Sequence, residues 1–292
     1  TATPPGICTG GSSQLRSGVS AINFSVTSIP YQNIPVPLTA GTGPTGDDVV
    51  GPSVPMPFSF NFFGNNYSSF FISTNGNIQF GPTTSTNYTP GPLPNTIIKN
   101  FVALCWADVV VASNGNTTGR IKYFVDGVAP TRRMIIDFSD CAFYVGSSST
   151  GSLSGQIWLF ETTRLVEIHL KNSIGLASTG GGVKVLGVNN ATGSIGAAAP
   201  NRNGTAWQTS VPEAWRFTPP EVYTYLWSPA ATLSSDTAEA PIATPSVTST
   251  YNVTVTNQIS GCVGNGNVTV TVLPTLTPSV SMTITSGSNP SC

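Results

Sequence analysis

The chain has 292 residues, long enough for one large all-β domain or for two domains. Only 8% of them are charged, about a third of ordinary usage, and the formal net charge is −1. A surface this neutral offers little to a phosphate backbone, which excludes nucleic acid as a partner, and a mean hydropathy of +0.11 excludes a chain held open by charge repulsion. Solubility rests on Ser, Thr, Asn and Gly rather than on ions. No apolar run approaches the roughly 18 residues of a membrane span, so no transmembrane segment is expected. The opening TATPPGICTGG lacks the basic-then-apolar pattern of a leader and suits a mature secreted chain.

Residues 1–20 predict one strand at best, and 22–28 (INFSVTS) alternates as a strand should. A long Pro- and Gly-rich loop over 29–50 ends in GPTGDDVVG. Asp47 and Asp48 are adjacent acids in that loop, and calcium prefers hard oxygen ligands in flexible loops. The EF-hand spacing is absent, and a solvated turn is the plainer reading. The stretch 58–80 (FSFNFFGNNYSSFFISTNGNIQF) predicts strands over 57–63, 69–73 and 77–80, with Phe58, Phe60 and Phe62 on one face. Asn75-Gly76 signals a type I′ turn between the last two.

A second Pro-rich loop covers 81–95. Residues 97–111 (IIKNFVALCWADVVV) read as a buried strand near 101–106 followed by 107–111. Asp108 interrupts that run as a hydrogen-bond acceptor or a metal ligand. Strands over 119–125 and 132–138 form a hairpin, 141–145 continues its edge, and 146–155 is a Ser/Gly/Thr loop. A further hairpin joins 156–161 (QIWLFE) to 165–170 (LVEIHL), where Glu167 and His169 share the polar face and are expected to be exposed. A strand over 183–188, a loop over 189–203 and a strand over 214–218 complete the first domain.

Pro219-Pro220 marks the boundary. Beyond it Tyr223, Tyr225 and Trp227 alternate, as do Tyr251, Val253 and Val255, and then Val268, Val270 and Val272. The fold class is therefore all-β: a large, jelly-roll-like β-sandwich over 1–219, then a small Ig/PKD-like β-sandwich over 220–275. Residues 276–292 read as a linker or the start of a further repeat. Of the five cysteines, Cys105 and Cys141 sit at strand ends and are the expected disulfide. Partners for Cys8, Cys262 and Cys292 stay open, and the odd count suggests a chain continuing past Cys292.

No catalytic set is visible. His169 has no nucleophile motif beside it, and the acids Asp137, Asp140, Glu161 and Glu167 show no shared cleft. Trp207, followed by Gln208, and Tyr88 lie in loops and are the candidates for a glycan-binding surface. Eight Asn-x-Ser/Thr matches arise readily by chance in so Asn- and Thr-rich a chain.

The order of Pro57 to Phe80, IIKNFVALCWAD, GRIKYFVDGVAPTRRMIIDF and QIWLFETTRLVEIHL resembles a secreted β-sandwich module of large surface proteins of gliding and other Bacteroidota. YLWSPAATLSS, PSVTSTYNVTVT and the SGC turn are similar to the PKD/Ig-type repeat of the same proteins. The resemblance implies export by the type IX system, a cell-surface or extracellular location, and a structural or adhesive role in a filament or in gliding motility. It implies as partners neighbouring repeats, copies of the same protein, or surface polysaccharide. Asp236-Thr237-Ala238 resembles the O-glycosylation sequon of that lineage and nominates Thr237. A carbohydrate-binding module, or the accessory region of a secreted enzyme, is the alternative.

Overall fold

The computed structural model describes residues 1–16, 23–221, 223–257 and 262–274. The chain opens with β1 (Ala2–Thr3), β2 (Gly6–Cys8) and β3 (Ser13–Leu15). There follow β4 (Ser25–Ile29), β5 (Gly41–Thr42), β6 (Val54–Phe62), β7 (Asn65–Ser73), β8 (Asn77–Gln79), β9 (Phe101–Trp106) and β10 (Val109–Val110). Next come β11 (Arg120–Asp126), β12 (Arg133–Val145), β13 (Ser148–Phe160), β14 (Val166–Ile174), β15 (Val183–Asn189), β16 (Gly196–Ala206) and β17 (Glu213–Thr218). The last are β18 (Tyr223–Ser228), β19 (Ile242–Ala243), β20 (Ser249–Asn257) and β21 (Val263–Leu273). The fold is all-β, and among the described residues no helix is long and apolar enough to cross a membrane.

The backbone divides into two compact units. The large one holds two sheets, ordered β16-β15-β9-β8-β7-β6 and β4-β17-β14-β13-β12-β11-β5, with β10 also paired to β12. Alternation explains their shared core. Phe60, Phe62, Phe70, Ile72, Val102 and Leu104 line one inner face, and Ile136, Phe138, Ile157, Leu159, Ile168 and Leu170 the other. Phe60, Phe62 and Phe80 pack their rings at 4.9–6.3 Å. This is the aromatic face expected from the spacing of 58–80.

The small unit corrects the expected boundary at its other end. Residues 1–16 do not join the large sandwich: β2 pairs in parallel with β21, and β3 pairs antiparallel with β19. Ile7 and Leu15 are buried with Trp227, Tyr251 and Val270. Some 55 residues after Pro220 make a marginal core alone, and the first strands supply apolar side chains that it lacks. The further repeat expected over 276–292, and the partner of Cys292, lie outside the described residues.

Two expected loops are strands. Residues 148–155 open β13 against β12, with Val145 opposite Ser148, and 196–203 open β16 against β15. Ladder hydrogen bonds use only the backbone, so a Ser/Gly/Ala segment beside a good partner strand joins the sheet despite low propensity.

Glu167 and His169 occupy the outer face of the sheet as expected, but they are 4% and 1% exposed. Residues 31–40 cross that face, where Ile34, Val36 and Ala40 pack on Phe124, Ile135 and Trp158. Gln32 N–H donates to His169 Nδ1 (3.1 Å), which leaves the ring proton on Nε2, donated to Glu167 Oε2 (3.1 Å). Arg216 Nε donates to Glu167 Oε1 (2.7 Å). Gln156 exchanges hydrogen bonds with the backbone of Ile34 and donates to Asp137.

Burial pushes the Glu167 carboxyl up, but the hydrogen bonds from His169 and Arg216 outweigh it and hold the group below its ordinary value. Its folded pKa thus lies under the unfolded value of about 4.3. The folded state binds fewer protons there, so the contribution is complete above pH ~4.3 and lost as pH falls through the folded value. Urea unfolding of wild type and Glu167→Gln at descending pH should show the stability gap between them narrowing below about pH 4.3. A constant gap would mean that Glu167 carries no net charge interaction.

Candidate functional site

Asp47 and Asp48 end the long loop before β6, and the strand framework pins that loop in place. Gly46 and Val111 exchange backbone hydrogen bonds at 2.7 and 3.0 Å, and Thr74 N–H donates to Val49 O (2.8 Å). The loop is thereby drawn across the turn between β9 and β10, which carries Asp108. One carboxylate oxygen from each of Asp47, Asp48 and Asp108 falls within 4.8 Å of the others. The sequence nominated the first two together and Asp108 separately as acceptor or ligand. Strand pairing brings the three to one point.

Each carboxylate has a neutral donor. Asn114 Nδ2 donates to Asp47 Oδ2 (2.8 Å), Asn75 Nδ2 to Asp48 Oδ1 (2.8 Å), and Thr179 Oγ1 to Asp108 Oδ2 (2.6 Å). Asp47 Oδ1 is shielded from solvent and accepts no hydrogen bond among the described residues. Burial pushes the Asp108 carboxyl up to about 6, the Thr179 hydrogen bond opposes this, and repulsion from Asp47 and Asp48 adds to it. Asp48 is raised by burial, against the pull of its Asn75 hydrogen bond and with the push of Asp47. Three acids in so small a space, one orphaned oxygen and an all-oxygen donor set fit a hard divalent cation. The cluster is a candidate calcium site. Backbone oxygens or water would complete the coordination number.

Asn75 is the residue that sequence reasoning misplaced. It signalled a type I′ turn, which needs two positive φ values, yet only Gly76 (φ 72°) has one here. Asn75 is instead fully buried: its Oδ1 accepts from Val109 N–H (3.0 Å) and its amide also donates to Thr86 O (3.0 Å). One side chain thus ties the Asp48 loop, the β9–β10 turn and the loop over 81–95 together.

The expected Cys105–Cys141 disulfide does not form. Cys105 lies on β9 and Cys141 on β12, in different sheets, and each is a free thiol with its own neighbours. Cys105 Sγ contacts Ser173 Oγ (3.8 Å), while Cys141 Sγ faces the carbonyls of Arg120 and Ser139. Both thiols are buried, and burial pushes Cys141 up to about 12. They are inert core residues.

The glycan candidates separate. Trp207 is 7% exposed, donates from Nε1 to Lys184 O (3.2 Å), and packs beneath Lys184 and Arg202. A buried ring offers no platform, so Trp207 is withdrawn. Tyr88 is exposed. Thr237 is exposed in the loop after Leu233, where its N–H donates to Ser235 Oγ (3.2 Å). The acids weighed for glycoside chemistry are separately engaged: Glu161 by Arg132, Glu167 by Arg216 and His169, Asp137 by Gln156 and Ser139, and Asp140 by Arg120.

Comparison with known proteins gives one family-level match. The model described as "NIDO related" matches residues 22–229. No curated protein and no solved structure matches the chain. That family match spans the large sandwich with its Asp47, Asp48 and Asp108 cluster, and covers well over half of the sequence: the chain belongs to the NIDO-related family.

Proposed function

We propose that the chain is a non-catalytic extracellular module with a structural and adhesive role, stapled by calcium at Asp47, Asp48 and Asp108. NIDO-related domains are structural rather than catalytic modules, and the chain is not an enzyme. The family association is with extracellular, adhesion-type proteins. The observation that carries the calcium reading is the convergence of three carboxylates, with one orphaned oxygen, from segments far apart in sequence. Bound there, the ion would neutralise their mutual repulsion and lock the loop over 43–51 to the β9–β10 turn.

The finer reading is a secreted surface protein of the Bacteroidota gliding-adhesin type, with a jelly-roll-like large unit and an Ig/PKD-like small one. Its partners would be neighbouring repeats, further copies of the chain, or surface polysaccharide. Exposed Thr237 would carry an O-linked glycan. The sequence resemblance and the exposed position of Thr237 support these readings.

Thermal unfolding during calcium titration at neutral pH tests the site. A ligand at a hundred times its Kd adds about 2.7 kcal/mol, which moves a domain of this size by roughly 5–10 °C. Asp108→Asn should fold and lose the response. An unchanged Tm in millimolar calcium, with EDTA-treated protein as reference, would remove the cation from the reading.

A further inference from the structure

The small unit leaves part of one strand edge open. β20 lies along one side of β21 over 263–270 in an unbroken register, while β2 pairs with the other side only over 271–273. We propose that the free stretch, 264–270, pairs antiparallel with the same stretch of a second copy of the chain, about a two-fold axis at Asn267.

The directions of the backbone groups set that register. Thr271 N–H donates to Pro5 O (3.0 Å) on the β2 side, and Val272 N–H to Thr248 Oγ1 (3.0 Å) on the opposite side. Backbone groups alternate sides along a strand, so Asn265, Asn267 and Thr269 turn both N–H and C=O away from β20. All three residues are exposed, and among the described residues no backbone group meets them on that side. Residues that pair through hydrogen bonds in an antiparallel ladder exchange both groups. One centred register therefore satisfies every open position: Asn265 with Thr269, Asn267 with its own copy, and Thr269 with Asn265.

The inner face favours the same register. Val268, Val270 and Val272 pack into the core, but the two preceding inward positions on β21 are Gly264 and Gly266. They stand opposite Val255 and Val253 of β20, under an open groove of about 490 Å³ that Tyr223 also lines. Neither glycine has a positive φ, and a Cβ at Gly264 would meet nothing within 4 Å. One at Gly266 would make an ordinary contact with Val253 Cγ1 at 3.6 Å, so a single copy does not need either glycine. Glycine inside a strand marks a place where another backbone can approach closely. In the centred register Val268 and Val270 of the second copy fall opposite Gly266 and Gly264. Each copy then covers the groove of the other.

Nothing along this edge repels a neighbour. Strand edges are ordinarily kept apart by charge, proline or a bulge, and 264–270 has no charged residue, no proline and no register shift. A second copy suits the edge better than an unrelated strand, because the register is self-complementary, as a two-fold interface requires. The inference rests on the reading of further copies as partners and gives that reading a surface. It draws nothing from the calcium site.

Sedimentation velocity of the whole chain, at concentrations up to about 1 mM, tests the pairing. A ladder this short makes a small interface, so a dimer with a Kd on the order of 100 μM is expected. Asn267→Lys sets two like charges directly opposite each other at the axis and should raise the Kd roughly fivefold or more. The side chain is exposed, so Tm should hardly change. Asn267→Asp alone should behave in the same way. An equimolar mixture of the two variants should dimerise about as well as wild type, because Lys then faces Asp. A chain still monomeric at about 1 mM would overturn both this pairing and further copies as partners. A dimer that Asn267→Lys leaves intact, or a mixture no tighter than either variant, would overturn this surface alone.

Discussion

Phe60→Ala is expected to destabilise the large unit by about 3–5 kcal/mol, the range for removing a phenyl ring from a close-packed core. Phe60 is fully buried on β6, between Phe62 at 6.3 Å and Phe80 at 5.9 Å. The loss has two parts, the transfer free energy of the ring and the cavity that neighbouring rings are too well packed to close. Urea unfolding gives the number. A loss under about 1 kcal/mol would show that Phe62 and Phe80 collapse into the gap, and that this face is less rigid than its packing implies. Phe60→Leu should recover much of the loss, because it keeps most of the volume.

Gly76→Ala should cost about 2–4 kcal/mol although it removes no contact. Gly76 takes φ 72° in the turn between β7 and β8, and an added Cβ would fall 2.1 Å from Cys105 O. Alanine therefore meets backbone strain and a steric overlap together. Relieving the overlap means moving the turn away from β9, against the Cys105 N–H to Gly76 O hydrogen bond of 3.1 Å. Asn75 would move with it and loosen its hold on Asp48 and Val109. The variant should thus lose calcium-induced stabilisation as well as intrinsic stability, read by thermal unfolding with and without calcium. Asn75→Ala separates the two effects, since it spares the turn's backbone. A Gly76→Ala protein with wild-type stability would show that the turn shifts freely.

Alternation is a local property, and it made much of the fold legible. On β6 every second residue is large and apolar, and the same holds over 134–138 of β12, 157–159 of β13 and 166–170 of β14, so the inner face of those stretches could be read from each strand alone. The same reading put Glu167 and His169 correctly on the outer face and wrongly in solvent. Period two tells which face a residue is on, not whether another segment covers that face. The cover, residues 31–40, has Ile34 and Val36 two apart, but Pro35 and Pro37 break the run, so it does not announce itself as a strand lying on the sheet. Trp207 failed for the same reason, because a loop position does not disclose what the loop packs against.

The candidate site was legible only in parts. Asp47 and Asp48 stood out as an acidic pair in a Gly-rich loop, and Asp108 as a charge within an apolar run, but nothing local joined them. Their meeting depends on Gly46 bridging to Val111 and on the Asn75 side chain reaching both segments. The sequence by itself determined an all-β chain, several of its inner faces and its low charge, because these follow from composition and from neighbours one or two residues apart. Only the tertiary structure decided which acids converge, which polar groups are buried, that Cys105 and Cys141 stay apart, and that the first strands complete the small unit. Those outcomes depend on strand order and long-range pairing, and the energy that selects them is shared among contacts that no short stretch of sequence contains.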